Sequence, residues 1–253
     1  MKVTILGSGT SQGVPVIGCE CEVCRSIDFK DKRLRSSIHI EVDNLSLVFD
    51  SGPDFRQQML RSKIKKLDAL LFTHEHKDHT AGMDDIRSFN FLQKKDMPVY
   101  ARAQVIDQLK REFEYVFAKS KYPGVPQVQV HEIKNEPFNI DQTTITPIEV
   151  MHYKLPVFGF RIKDFSYITD AKTISDQEKA KIKGSKVLVI NALQKSSHIS
   201  HLTLEEAIAL SQELNAEKTY FTHLSHKMGK HREVEAELPE GIEIAFDGLE
   251  IKL

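Results

Sequence analysis

Between residues 73 and 79 the chain reads Thr73-His74-Glu75-His76-Lys77-Asp78-His79. Three imidazoles and an aspartate fall within six residues, in a chain that has 11 histidines among 253 residues, which is too dense for an ordinary polar turn. Neutral imidazoles suit zinc, manganese or iron, and a carboxylate hardens such a site toward oxygen-preferring ions. The cluster follows the apolar run Ala69-Leu70-Leu71-Phe72, which reads as a short strand. A turn at a strand end can aim alternating side chains inward, so that His74 and His76 reach one ion while Asp78 and His79 turn to a second. A separate constellation, Gly18-Cys19-Glu20-Cys21-Glu22-Val23-Cys24, brings three thiols together. Three thiolates at this spacing can hold zinc, but a closed structural site needs a fourth ligand. His226 is the candidate; the alternative is a reduced loop without metal.

The 74–79 segment resembles the H-x-H-x-D-H motif of the metallo-β-lactamase fold superfamily. The resemblance implies an α/β protein, an αββα sandwich of two mixed β-sheets flanked by helices. It also implies where further ligands stand. His152 follows Glu149-Val150-Met151, Asp170 follows Tyr167-Ile168-Thr169 and bridges both ions, and His223 follows Tyr220-Phe221-Thr222. Asp50, in Phe49-Asp50-Ser51-Gly52-Pro53, matches the first motif of the superfamily, where the aspartate orients the metal turn through hydrogen bonds. Two divalent ions, Mn2+ or Zn2+, are thus expected at His74, His76, Asp78, His79, His152, Asp170 and His223. One structural Zn2+ is expected at Cys19, Cys21, Cys24 and His226.

Two divalent ions about 3.5–4 Å apart can share a hydroxide and stabilise an in-line displacement at phosphorus. The expected reaction is hydrolysis of a phosphodiester by a metal-bridged hydroxide, with Asp78 counted among the catalytic groups as well as the ligands. A leaving alkoxide also needs a proton, and histidine is the usual donor near pH 7. Residues 195–203 carry two histidines, His198 and His201. The segment resembles the His-x-Thr element of the phosphodiesterase branch, which puts His201 in the general-acid position and leaves His198 as the weaker candidate, in contact with substrate phosphate. Thr203 is then expected to cap the following helix.

Taken in order, the glycine-rich segment 7–15, the cysteine cluster, Asp50-Ser51-Gly52-Pro53-Asp54, the histidine turn, His201-Leu202-Thr203 and Thr222-His223-Leu224-Ser225-His226 are similar to one family, nearly end to end. It is the phosphoribosyl 1,2-cyclic phosphate phosphodiesterase family of the carbon–phosphorus lyase pathway. The resemblance implies a small cyclic phosphate or nucleotide-like phosphodiester as substrate and is compatible with a homodimer. The rival is a nuclease similar to tRNA 3′-processing endonucleases, which share the fold, the paired ions and the His-x-Thr element. Those enzymes carry a long Gly/Pro-rich arm, for which residues 119–126 are too short. β-Lactam and thioester hydrolysis need less help from a protonated histidine.

The elements that must position these groups can be read from periodicity. Strands are expected at 3–6, at 37–42 and 45–49 as a hairpin, and at 69–72, 98–100, 128–131, 138–140, 143–150, 159–162 and 165–168. Helices are expected at 53–62, 82–92, 103–117, 175–183 and 203–214, the later ones alternating with strands at 187–191 and 219–222. This describes one domain over 1–253 with a small zinc-binding loop at 18–25. Lys+Arg 35 against Asp+Glu 36 leaves a net charge of -1, without the basic surplus of a general nucleic-acid binder, so a large nucleic acid is disfavoured as partner. No run of about 18 apolar residues is present, so no membrane span is expected. The N-terminal apolar run is too short for a signal peptide. Three clustered cysteines make a poor disulfide framework, so a cytoplasmic location with reduced thiols is expected. Arg33, Arg35, Lys63, Lys65 and Lys66 read as solvated surface charge, Arg56 and Arg87 as candidates to meet a phosphate, and Phe89-Asn90-Phe91-Leu92 as core or pocket wall.

Overall fold

Alternation sets the first layer. Along β1 (Lys2–Gly7), β2 (Ser37–Val42) and β3 (Leu45–Phe49), the residues Val3, Ile5, Ile38, Ile40, Leu47 and Phe49 bury one face of an antiparallel sheet. In the computed structural model, which describes residues 1–253, this sheet continues through β4 (Ala69–Leu71), β5 (Met97–Ala101) and β6 (Val128–Glu132). The second sheet contains β7 (Phe138–Ile140), β8 (Thr143–His152), β9 (Leu155–Ile162), β10 (Phe165–Ile168), β11 (Val187–Asn191), β12 (Lys218–Thr222) and β13 (Ile242–Ile244). The last strand, β14 (Glu250–Lys252), returns to pair with β1. The strand orders are β14-β1-β2-β3-β4-β5-β6 and β13-β12-β11-β10-β9-β8-β7. Both sheets are mixed: β3 to β6 run parallel, as do β10 to β13, and the remaining neighbours are antiparallel.

The sheets pack face to face. Phe49 from the first meets Phe160 from the second with ring centroids 5.1 Å apart, and Tyr167 lies beside them. Parallel neighbours require crossovers, and helices supply most of them. Phe55–Arg61, Arg87–Gln93 and Ala103–Glu112 cover the outer face of the first sheet over Val48, Leu70 and Phe72, and Asp176–Ile182 and Leu204–Leu214 cover the second over Ile148, Leu188 and Ile190. This is the αββα sandwich. Phe160→Ala would leave a void between the layers and is expected to cost about 3–5 kcal/mol, measured as a lower urea midpoint with an unchanged slope.

Several boundaries differ from the sequence reading. The 103–117 helix breaks at Phe113 (φ -115, ψ 44), whose N–H closes the first helix on Leu109 O, and a short helix, Glu114–Phe117, follows. The 82–92 helix opens with a tighter turn, Met83–Ile86. β8 and β9 run to His152 and from Leu155, longer than expected, because Met151 pairs with Pro156 and His152 with Leu155 across the Tyr153-Lys154 turn. Only Phe89 of the 89–92 run is fully buried; Phe91 and Leu92 are exposed. Arg56 is exposed on its helix, and Arg87 pairs with Asp84. No helix is long and apolar enough to cross a membrane.

Candidate active site

Ligands in open α/β sheets collect beyond the carboxyl ends of parallel strands, and the candidate residues lie there. Asp50 follows β3, His74 to His79 follow β4, Asp170 follows β10 and His223 follows β12. His152, expected after a strand, is the last residue of β8. Asp50, Asp170 and His223 all have left-handed backbone, with φ of 66°, 59° and 57°. This conformation costs a residue bearing a Cβ about 1 kcal/mol or more, and it turns each side chain back over the strand ends.

Six of the seven expected ligands fall into close groups, and His76 adjoins them through His74. His74, His79 and Asp170 have donor atoms within 4.8 Å of one another, as do Asp78, His79 and His223, and His152, Asp170 and His201. All are buried or nearly so except His76, which is exposed, and Asp78, which is partly buried.

Hydrogen bonds decide which nitrogen of each ring is free. His79 Nδ1 donates to Asp50 Oδ2 at 2.7 Å. Thr73 Oγ1 donates to Asp50 Oδ2, so it accepts from His74 Nδ1 at 3.0 Å. His152 Nδ1 donates to the carbonyl of Ser200 at 2.9 Å. Ser36 Oγ donates to the carbonyl of Gly9, so it accepts from His223 Nδ1 at 3.0 Å. In all four rings Nδ1 is thereby engaged and Nε2 is the nitrogen left to face the cluster, as ligand histidines require. His74 Nε2 lies 3.0 Å from His76 Nδ1, and Thr10 Oγ1 lies 3.1 Å from His223 Nε2.

This donor set fits divalent cations. His79 Nε2 is buried without a hydrogen-bond partner, although Asp78 Oδ2 and Asp170 Oδ2 stand 3.1 and 3.2 Å away. Burial opposes a charge on His79, but Asp78, Asp50 and Asp170 outweigh it and raise its pKa well above the usual imidazole value. Burial also opposes charge on Asp170, yet His223 and His79 hold its pKa well below the carboxylate range. Burial drives His74 far down and His223 to about 4, leaving both neutral at pH 7. Three carboxylates therefore gather around His79 at a point where His74 and His223 supply no charge.

A cation binding Nε2 must displace the His79 proton, so metal affinity should rise with pH. The raised pKa stabilises the metal-free fold below the unfolded imidazole value, and that contribution is lost as pH rises through the folded pKa. Titration calorimetry in buffers of different ionisation enthalpy is expected to give about one proton released at neutral pH; no proton release would refute the assignment.

The thiol cluster also closes. His226 Nδ1 lies 3.2, 3.4 and 3.5 Å from the sulfurs of Cys19, Cys21 and Cys24. Zinc bond lengths imply an N–S tetrahedral edge of about 3.6 Å, so the four donors fit a zinc ion. The Cys24 N–H pulls the Cys21 thiol down to about 6, while burial pushes Cys24 up to about 11.

Both expected proton donors are near the cluster. His201 Nε2 is 3.0 Å from Asp170 Oδ1, closer than a free-standing acid would be, and its Nδ1 is 3.0 Å from Ser200 Oγ. His198 is less buried, with its Nδ1 3.2 Å from His201 Nδ1. Thr203 caps its helix in a reciprocal capping box with Glu206. Thr73, Ser36 and the Ser200 carbonyl went unrecognised in the sequence, since hydroxyls and carbonyls carry no ligand spacing. Ser36→Ala would release His223 and is expected to weaken metal binding about 10–100-fold, read by competition with a chelating dye.

The fold and this cluster are those of the β-lactamase superfamily. A family model described as a beta-lactamase superfamily domain matches residues 46–224. A solved structure, a new diphosphatase from the PhnP family, is 38% identical, superposes with a TM-score of 0.93, and is matched over 100% of this chain and 97% of that one. The chain belongs to the β-lactamase superfamily and, within it, to the PhnP family. An octanoyltransferase of Porphyromonas gingivalis is 41% identical over 99% of this chain but 51% of its own length. A ribonuclease Z of Acaryochloris marina is 27% identical over 65% of this chain and 48% of its own. The chain thus spans about half the length of these two curated relatives.

Proposed function

We propose that the chain is a dinuclear metal-dependent phosphodiesterase acting on small cyclic phosphates or nucleotide-like phosphodiesters, with Mn2+ or Zn2+ at the His/Asp cluster and a structural Zn2+ at the thiol cluster. His74, His76 and His152 group around one position, with the His76 and His152 rings 5.1 Å apart, and would hold one ion. Asp78, His79 and His223 would hold the other, and Asp170 would reach both. When bound, such ions supply Lewis acidity to phosphoryl oxygens and lower the pKa of water.

The protein's own groups do the rest. Asp50, Thr73, Ser36 and Ser200 hold the ligand rings in one tautomer. The observation that carries the reading is His201, whose imidazole stands beside Asp170 at the edge of the cluster and can hold a proton on Nε2 for a departing oxygen. His198 would then contact substrate phosphate.

A second reading, hydrolysis of a phosphoanhydride, is favoured by the 38% identical diphosphatase. The nuclease reading draws on the ribonuclease Z likeness but lacks a basic surplus, since the net charge is -1. The transferase name belongs to a protein about half of which this chain matches. The test is an assay of the metal-loaded protein with bis(p-nitrophenyl) phosphate, a 2′,3′-cyclic nucleotide, a ribosyl 1,2-cyclic phosphate, a dinucleoside diphosphate, pre-tRNA and a β-lactam. Turnover of the small diesters is expected. Cleavage of pre-tRNA alone or of the lactam alone would overturn the assignment, and preference for the diphosphate would establish the second reading.

A further inference from the structure

A second recess lies apart from the metal cluster, lined by none of its residues. It is a groove of about 820 Å3 on the outer face of the first sheet. Helices cover that face over Leu6, Val48 and Leu70 but leave the corner of β14, β1, β2 and β3 open. The register sets Thr4 beside both His39 and Glu250, and Lys2 beside Glu41, which in turn pairs with Ser46. These six side chains line the groove, and residues 61–66 form a wall along it.

Two polar groups on this floor have no partner in the protein. Burial holds the His39 pKa down to about 4, so the ring is neutral at pH 7. Ser46 donates its only hydroxyl hydrogen to the carbonyl of Lys66 at 2.6 Å, so His39 Nε2, 2.8 Å from Ser46 Oγ, must be the donor there. Its Nδ1 is left as a bare acceptor. Thr4 Oγ1 is likewise unpartnered. His39 is 4% and Thr4 5% exposed, yet neither atom is sealed from solvent, so both open to the groove they line. With no protein partner, both atoms can pair only with water or with a ligand seated in the groove.

The charges on the wall are unequal. Glu41 and Glu250 share Lys2, at 2.6 and 3.5 Å, which leaves one carboxylate charge over; Asp43 is matched by Lys163, Arg61 by Asp247, and Lys66 by Asp68. Lys63 and Lys65 are exposed and have no acidic partner.

We propose that this groove binds a phosphorylated organic ligand of nucleotide size, with its phosphate between Lys63 and Lys65, a hydroxyl or N–H donor on His39 Nδ1, and an acceptor on the Thr4 hydroxyl. The lysines supply unpaired positive charge for a phosphate of about two negative charges, and the floor supplies the directional bonds that distinguish an organic ligand from a bare anion. This site is independent of the catalytic reading.

The metal centre also attracts phosphate, so the readout must be local. Histidine-labelled, zinc-loaded protein is titrated with AMP, ribose 5-phosphate and inorganic phosphate while the His39 ring resonances are followed. Saturable shifts with AMP or ribose 5-phosphate are expected. Lys63→Ala/Lys65→Ala should weaken binding at least about tenfold, as loss of hydrogen bonds to a charged group implies, with kcat on bis(p-nitrophenyl) phosphate unchanged. Thr4→Val, which keeps the shape, should weaken it several-fold. No His39 shift at millimolar ligand, or shifts indifferent to the lysine pair, would overturn the site. Inorganic phosphate binding as tightly as AMP would overturn the organic ligand.

Discussion

His201→Ala is expected to lower turnover of a 2′,3′-cyclic nucleotide by about 10²–10⁴-fold, the range for loss of a positioned general acid, with bound metal undiminished. The effect should depend on the leaving group. An alkoxide departs only with a proton, whereas p-nitrophenolate departs without one. Rates with bis(p-nitrophenyl) phosphate should therefore fall much less than rates with the cyclic nucleotide. Because His201 Nε2 lies 3.0 Å from Asp170 Oδ1, a ligand role makes the opposite forecast, with metal lost and both substrates slowed alike. Metal analysis beside the two rate ratios separates these roles, and His198→Ala, which removes the less buried ring, should change KM more than kcat.

Asp170→Ala should have the larger total effect. One carboxylate lies within 3.3 Å of three imidazoles, those of His79, His201 and His223. Its removal takes a donor from both proposed ion positions and breaks the His152–Asp170–His201 grouping. With the two ions proposed for the centre, metal content there should fall to one or none, while the zinc proposed for the thiols should remain. If each lost ion removes several kcal/mol of transition-state stabilisation, turnover should fall by more than about 10³-fold, since each decade corresponds to about 1.4 kcal/mol. A variant that kept both ions and lost less than tenfold would place the bridging role elsewhere. Asp170→Asn separates charge from shape: it keeps the side-chain outline, and the backbone turn tolerates asparagine.

How much of this was legible in the chain depended on distance along it. His74, His76, Asp78 and His79 are contiguous, and the three cysteines nearly so, so residue type and spacing revealed both clusters. His152, Asp170 and His223 could be placed only through the family pattern, because nothing in an isolated histidine at a strand end separates a ligand from a core residue. Ser36 and Thr73 were invisible. Each acts by passing its own hydrogen to a third group, Gly9 O or Asp50, and thereby accepting one from a ring. Ser36 meets His223 across 187 residues, so only the folded sheets bring them together. The layers followed from alternation and helical periodicity, whereas the break at Phe113 and the extended β8–β9 hairpin arose from tertiary pairing that overrode local signals.

The backbone turns at Asp50, Asp170 and His223 bear on which natural variants such a chain can survive. At these three places the main chain would be most at ease with glycine, so selection for a sturdier protein and selection for a working one pull in opposite directions. Lineages that abandoned the chemistry should drift toward glycine or asparagine there while the β-strands below stay intact, leaving a well-folded relic whose lost occupation is written in three residues.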